Sequence, residues 1–295
     1  MVNSFFQKNT QMKAIFLNLM AWAILPIMDG LAKYLSLEMP VVQIIWARYF
    51  FMVVITLPLY LILSKKKSFF PKNFPIQLLR SIFLLLSTLC FFYSISVLSL
   101  AEALTLAFVY PMISTLLSSI ILKEQVGKRR WIAVLFGFIG ALVVLRPGFD
   151  MIHLASFAGL GTGIAYAFYV ISTKKLSSDS PFLTLTFSGI VGAIIISLFV
   201  PIVWITPSYQ QWIIMIALAA FGTLGHFFLI LSLKYADASK LAPLGYFEIV
   251  TNIIIGYYFF GDFPDFWIWL GLLIIISSGV YISIRENLKT LNDEK

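Results

Sequence analysis

The stretch from Ala101 to Glu124 reads AEALTLAFVYPMISTLLSSIILKE, and 138 residues later Ser239 to Asp262 reads SKLAPLGYFEIVTNIIIGYYFFGD. At that offset Pro111 falls on Ile249, Glu124 on Asp262 and, just beyond the copies, Trp131 on Trp269. A looser echo sets Ala21, Trp22 and Ala23 against Ala165, Tyr166 and Ala167, each near the start of its half. The chain is expected to be two related halves, each closed by one copy of the longer stretch.

Composition says what solvent those halves meet. Of 295 residues, 60% are hydrophobic and 12% charged, about half the charge of a soluble domain. Apolar runs near the roughly 20 residues needed to cross a hydrocarbon core fall at 12–35, 41–63, 77–97, 101–122, 128–146, 153–173, 181–204, 210–233, 238–260 and 266–284. The expected fold is an all-α integral membrane protein of ten transmembrane helices. A first five-helix repeat covers 12–146 and a second covers 153–284. Five is odd, so the second repeat must enter the bilayer upside down, which is the architecture of a carrier. The longest connection, Ser64 to Gln77, is too short for a soluble domain, which argues against ATP-driven pumping by this chain alone. Asn18, Trp22, Asp29 and Lys33 interrupt the first span and no small-residue cleavage site follows it, so it is not expected to be a cleaved signal.

Alternating spans put 18 of the 21 basic residues on one side, including Lys65, Lys66, Lys67, Lys72, Arg80, Lys123, Lys128, Arg129, Arg130, Lys174 and Lys175. By the bias of Lys and Arg toward cytoplasmic loops, both termini are then cytoplasmic. The formal net charge of +8 reports topology; its spread over every second loop does not suit nucleic acid. Cys90 is the lone cysteine, so no disulfide forms within the chain.

Ten spans, five plus five inverted, with a short apolar segment ending in an acidic residue after the fourth and ninth helices, resemble the drug/metabolite transporter superfamily in its EamA-type branch. Tyr110-Pro111 with Glu124, and Tyr246-Phe247-Glu248-Ile249 with Gly261-Asp262, carry the resemblance. The second copy departs from the pattern with Ile249 where the family often has proline and Asp262 where it often has glutamate. By whole-chain character the sequence is most similar to the S-adenosylmethionine uptake carriers of obligate intracellular bacteria. That resemblance implies uptake of S-adenosylmethionine across the inner membrane in exchange for S-adenosylhomocysteine. It implies a small-molecule substrate and a lipid bilayer as partners, with no nucleic acid and no cofactor. An exporter of amino acids, drugs or other small metabolites would use the same scaffold and stays open.

Residues for such a task can be chosen on physical grounds. Glu248 lies near the middle of the ninth span, where an ionised carboxylate costs a few kcal/mol. Gly245, Glu248, Asn252 and Gly256 share one helical face. That face is expected to look into a cavity, with Glu248 binding a cation or a proton, or making an interhelical hydrogen bond. S-adenosylmethionine carries a sulfonium, an ammonium and a carboxylate, so its site needs a negative group beside aromatic faces that attract cations. The ring candidates are Trp22, Trp46, Tyr110, Tyr166, Tyr169 and Tyr246. Asp29 and Arg48 lie at similar depth in the first two spans. They pair with each other, or Arg48 grips a substrate carboxylate, which guanidinium matches bidentately. His226, one turn after Gly222, relays a proton or bonds between helices.

Two isolated histidines and one cysteine make no metal-ligand set. Gly159, Gly161 and Gly163 spell G-x-G-x-G inside an apolar span with no strand before them, which suits close helix approach and not a dinucleotide loop. The intramembrane polar groups are too few and scattered for a lipid-modifying enzyme, and no ring of charges suggests a channel.

Overall fold

Local signals set where helices begin. The structure, a computed structural model, describes residues 2–63, 70–123, 128–145, 153–236, 241, 244–245, 247–277 and 281, with no strand among them. The helices are α1 (Val2–Ser36), α2 (Val41–Leu63), α3 (Phe74–Val97), α4 (Leu100–Ala107), α5 (Tyr110–Ile121), α6 (Lys128–Leu145), α7 (Leu154–Lys175), α8 (Pro181–Ser197), α9 (Val200–Val203), α10 (Tyr209–Tyr235), α11 (Phe247–Phe260) and α12 (Phe266–Ser277). Asn73 caps α3 by accepting from the Ile76 N–H at 3.3 Å, and Ser99 caps α4 through the Glu102 N–H at 3.2 Å. Ser208 and Gln211 form a reciprocal capping box at the start of α10, satisfying two N–H groups that the helix leaves orphaned.

Six helical stretches are long and apolar enough to cross a membrane: Met12–Ser36, Val41–Leu63, Phe74–Val97, Leu100–Ile121, Leu154–Lys175 and Tyr209–Tyr235. Shorter apolar helices run Pro181–Ser197, Phe247–Phe260 and Phe266–Ser277. Several boundaries differ from the sequence expectation. The first helix begins at Val2, well before residue 12, and the run 181–204 stops at Ser197 before the single turn of α9.

The run 101–122 is broken at Phe108 and Val109 into α4 and α5. Proline explains the break. Pro111 has no N–H to offer the carbonyl of Ala107, so the ladder is interrupted there, and the Phe108 N–H turns back to Leu104 and Thr105 at 2.9 and 3.2 Å. α7 seals the interruption, because Gly163 lies against the Ala107 carbonyl so closely that a Cβ could not fit.

Packing joins elements from the two ends of the sequence. α1 lies along α10, α3 along α7, and α2 along α8. Glycines let these pairs approach: a Cβ on Gly225 of α10 would stand 2.7 Å from Leu25 of α1, and one on Gly192 of α8 would strike the Tyr49 ring of α2. The outward surface keeps large apolar side chains such as Ile202, Tyr258 and Phe259, which suits lipid.

The helix break yields a paired stability test. Gly163→Ala should push α7 off the Ala107 carbonyl and cost about 1–3 kcal/mol, the usual range for overpacking. Gly161→Ala meets only the Cys90 sulfur at an ordinary 3.4 Å and should change stability by less than about 0.5 kcal/mol. Thermal unfolding midpoints of the two purified variants in detergent check the contrast; equal midpoints would count against it.

Candidate functional site

Polar residues from four helices converge on one cavity. On α1, Asn18, Trp22 and Asp29 recur at helical spacing and all are buried. On α11 the buried residues are Glu248, Ile249, Asn252 and Gly256, so the face expected from spacing does point inward. α2 contributes Arg48 and α10 contributes His226, again both buried. Between them lies a cavity lined by Trp22, Asp29, Arg48, Tyr110, Tyr166, His226 and Glu248, with apolar walls from Phe91, Phe92 and Phe108.

Rings form the floor. Tyr110 and Tyr166 meet edge-on with centroids 5.1 Å apart, Trp22 stands 6.2 Å from Tyr110 and 6.4 Å from Tyr166, and Tyr166 continues to Tyr169 at 5.3 Å. Trp22 is oriented by its Nε1–H, which donates to Asn18 Oδ1 at 2.7 Å, while Asn18 Nδ2 donates to Ser232 Oγ at 3.1 Å. Gly245 is where the chain approaches α11, and a side chain there would collide with the Tyr110 hydroxyl.

Charged side chains of both signs line the cavity. Arg48 donates to Thr88 Oγ1 and, from Nη2, to His226 Nε2 at 2.8 Å; its guanidinium also lies 5.5 Å from the Phe92 ring centroid. Arg48 commits its terminal nitrogens to these neutral groups, so the direct Asp29–Arg48 salt bridge left open by the sequence is not made. Asp29 instead faces Asn252 and shares its surroundings with Glu248. Asp29 Oδ2, Arg48 Nε and Tyr166 Oη are buried without a hydrogen-bond partner. Buried polar atoms are seldom left so, and these three belong to residues around one cavity.

The sequence-derived candidates sort clearly. Glu248, Arg48, Asp29, Trp22, Tyr110, Tyr166 and His226 line the cavity, Asn252 stands beside Asp29, and Tyr169 supports His226 from behind through a 3.1 Å bond to Nδ1. Tyr246 lies outside the described residues. Trp46 is a correction: it stacks on Phe50 at 4.8 Å, meets Trp204 edge-on at 5.4 Å and donates to Ser197 Oγ at 3.1 Å, away from the cavity. Residues two positions apart in a helix point about 200° apart, so α2 cannot aim both Trp46 and Arg48 inward. Phe91, Phe92, Phe108 and Thr88 were not singled out from sequence, since rings and hydroxyls recur throughout the chain.

Arg80 is a second correction. Its place in the sequence groups it with the loop cations, yet it is fully buried and bonded to Tyr169, Thr173 and Ser188.

Comparison with known proteins places the chain in a family. The chain is 27% identical over 277 residues to an S-adenosylmethionine uptake transporter of Rickettsia prowazekii, covering 92% of this chain and 94% of that one. It is 28% identical over 269 residues to a riboflavin transporter of Vibrio cholerae, covering 90% of each. A solved crystal structure shares the fold with a TM-score of 0.69 at 16% identity, over 92% of this chain and 96% of the other. The EamA-like transporter family profile matches residues 11–146 and again 153–284. With apolar helices long enough to cross a bilayer several times and a family match over nearly its whole length, the chain is a multi-pass membrane protein that belongs to the EamA-like transporter family.

Proposed function

We propose that this protein is a secondary carrier that takes up S-adenosylmethionine across a bacterial inner membrane in exchange for S-adenosylhomocysteine, by alternating access around the cavity. The observation that carries the substrate is the division of charge within an aromatic site. Asp29 and Glu248 face the ammonium and sulfonium, Arg48 faces the carboxylate, and Trp22, Tyr110 and Tyr166 supply flat surfaces for adenine and for cation attraction. Riboflavin, the cargo in the name of one relative, is also flat but carries no charge at neutral pH. It would leave Arg48 and two carboxyls desolvated and unmatched, which costs several kcal/mol. Export of other amino-acid-like metabolites would use the same groups in the opposite direction.

Alternating access needs two inverted halves of five spans, 12–146 and 153–284, with both termini cytoplasmic, and three features support that arrangement. Exchanging the halves would turn the α1–α10 contact into the α7–α3 contact, and these are the two most extensive packings, as such a symmetry expects. In both halves a helix starts at the cavity, with Tyr110 opening α5 and Glu248 in the first turn of α11.

The third feature is a repeated lysine cap. Lys33, in the last turn of α1, donates to the Leu98 carbonyl at 2.9 Å, and Lys174, in the last turn of α7, donates to the Ala236 carbonyl at 2.9 Å. Leu98 and Ala236 are 138 residues apart and end α3 and α10. Lys33 also pairs with Asp262 at 2.9 Å, tying the end of α1 to the turn after α11.

Two measurements test the reading. In a thermal-shift comparison on purified protein, S-adenosylmethionine should raise the unfolding midpoint while riboflavin, free amino acids and nucleotide sugars do not; a shift selective for any of the others replaces the proposed substrate. In proteoliposomes, internal S-adenosylhomocysteine should accelerate uptake of labelled S-adenosylmethionine. Glu248→Gln should reduce that uptake at least about tenfold, the scale of one lost charged contact, with the protein still inserted. Undiminished uptake by that variant would remove Glu248 from the site.

A further inference from the structure

Arg80 is the seventh residue of α3, about 9 Å from its start at 1.5 Å per residue, and its side chain is fully buried. Its Nε donates to Thr173 Oγ1 at 2.8 Å, Nη1 to Ser188 Oγ at 2.6 Å and to the Thr184 carbonyl at 3.4 Å, and Nη2 to Tyr169 Oη at 3.1 Å. The guanidinium also lies 4.6 Å from the Tyr169 ring centroid. No carboxylate is among these partners. A neutral side chain would let α3 pack on α7 and α8 without the desolvation cost of a buried cation, so packing alone does not explain an arginine here.

The hydrogen bonds lead onward to the cavity. Tyr169 Oη is 3.1 Å from His226 Nδ1, and His226 Nε2 is 2.8 Å from Arg48 Nη2. Guanidinium donates and never accepts. His226 Nε2 must therefore accept from Arg48, the imidazole is neutral, and its proton sits on Nδ1, directed at Tyr169 Oη. That oxygen receives Arg80 as well, which anchors the phenol where it meets the imidazole. The tautomer is deduced from donor and acceptor roles, and it bars His226 from carrying a second proton while Arg48 holds it.

We propose that Arg80 is a positioning residue for substrate recognition: through Tyr169 and His226 it holds Arg48 in place as the arm of the cavity that receives a carboxylate. The proposal rests on the reading of Arg48 given above. It gives the buried charge of Arg80, 0% exposed, a task in selecting zwitterionic over purely cationic ligands.

Two readouts on the purified full chain test it, one independent of any ligand. Nitrogen-15 NMR of histidine-labelled protein, with His226 assigned by the signal lost in His226→Gln, should show a neutral ring protonated on Nδ1. In Arg80→Gln and in Tyr169→Phe the ring is no longer held against Arg48 and should become a mixture of tautomers. A wild-type ring protonated on Nε2, or a tautomer unchanged in both variants, overturns the wiring.

The second readout is competition binding of S-adenosylmethionine against its decarboxylated analogue. Wild-type protein should prefer the carboxylate-bearing compound by about tenfold or more, the worth of a charged hydrogen bond. Arg80→Gln should lose most of that preference while keeping its affinity for the analogue, and Arg80→Lys should restore part of it. Tyr169→Phe, which keeps the ring, should behave like Arg80→Gln and decides the matter if that variant does not fold. Full preference retained in either variant overturns the proposal. Wild-type protein that binds neither compound, or both equally, overturns the assignment of the carboxylate to Arg48, while the NMR result still decides whether Arg80 sets the network.

Discussion

A bilayer offers no water to a buried charge, so an ionisable group inside this bundle must find its partners in protein or in a cavity. That constraint organises the centre of the molecule. Arg80, Tyr169, His226, Arg48, Thr88 and Tyr49 form one run of hydrogen bonds through α3, α7, α10 and α2. Side-chain networks of this kind strengthen when complete and are costly when any member is lost. Here the network also fixes how helices from the two ends of the sequence sit against each other, because each bond crosses from one helix to another. The cavity borders this polar run at Arg48, Thr88 and His226 and is lined as well by Asp29 and Glu248.

The second organising element is the helix that stops partway. Pro111 breaks one apolar run, and Gly163 allows α7 to close over the break, so the backbone irregularity is shielded by protein as lipid requires. Tyr110 thereby opens α5 at the cavity. At the matching position of the later copy, Glu248 stands in the first turn of α11 with its side chain on the same cavity. A ring from one stretch and a carboxylate from the other thus line the same cavity.

Much of the site was legible from spacing. Asn18, Trp22 and Asp29, and likewise Glu248, Asn252 and Gly256, recur with the helical period, and a polar stripe on an apolar helix has to face protein. Trp46 shows the limit: an aromatic on an apolar helix carries no stripe to orient it, and it belongs to a ring cluster with Phe50 and Trp204. Arg80 shows another. A cation a few residues inside a helix, close to loop lysines, looks the same in sequence whether it snorkels outward or turns inward. Only the hydroxyls of Thr173 and Ser188, about a hundred residues away in sequence, decide the direction.

By itself the sequence determined the class of this protein. A 60% hydrophobic composition imposes lipid as the solvent, apolar runs impose helices, and the duplicated stretch implies related halves, since each of these depends on local pattern alone. Tertiary structure decided which polar groups share a cavity, that Arg48 is held by His226 and Thr88 instead of Asp29, and that Arg80 lies inside the bundle. Those outcomes depend on helix rotation and on contacts across long sequence separations, where the nearest partner is set by packing and leaves no periodic trace in the chain.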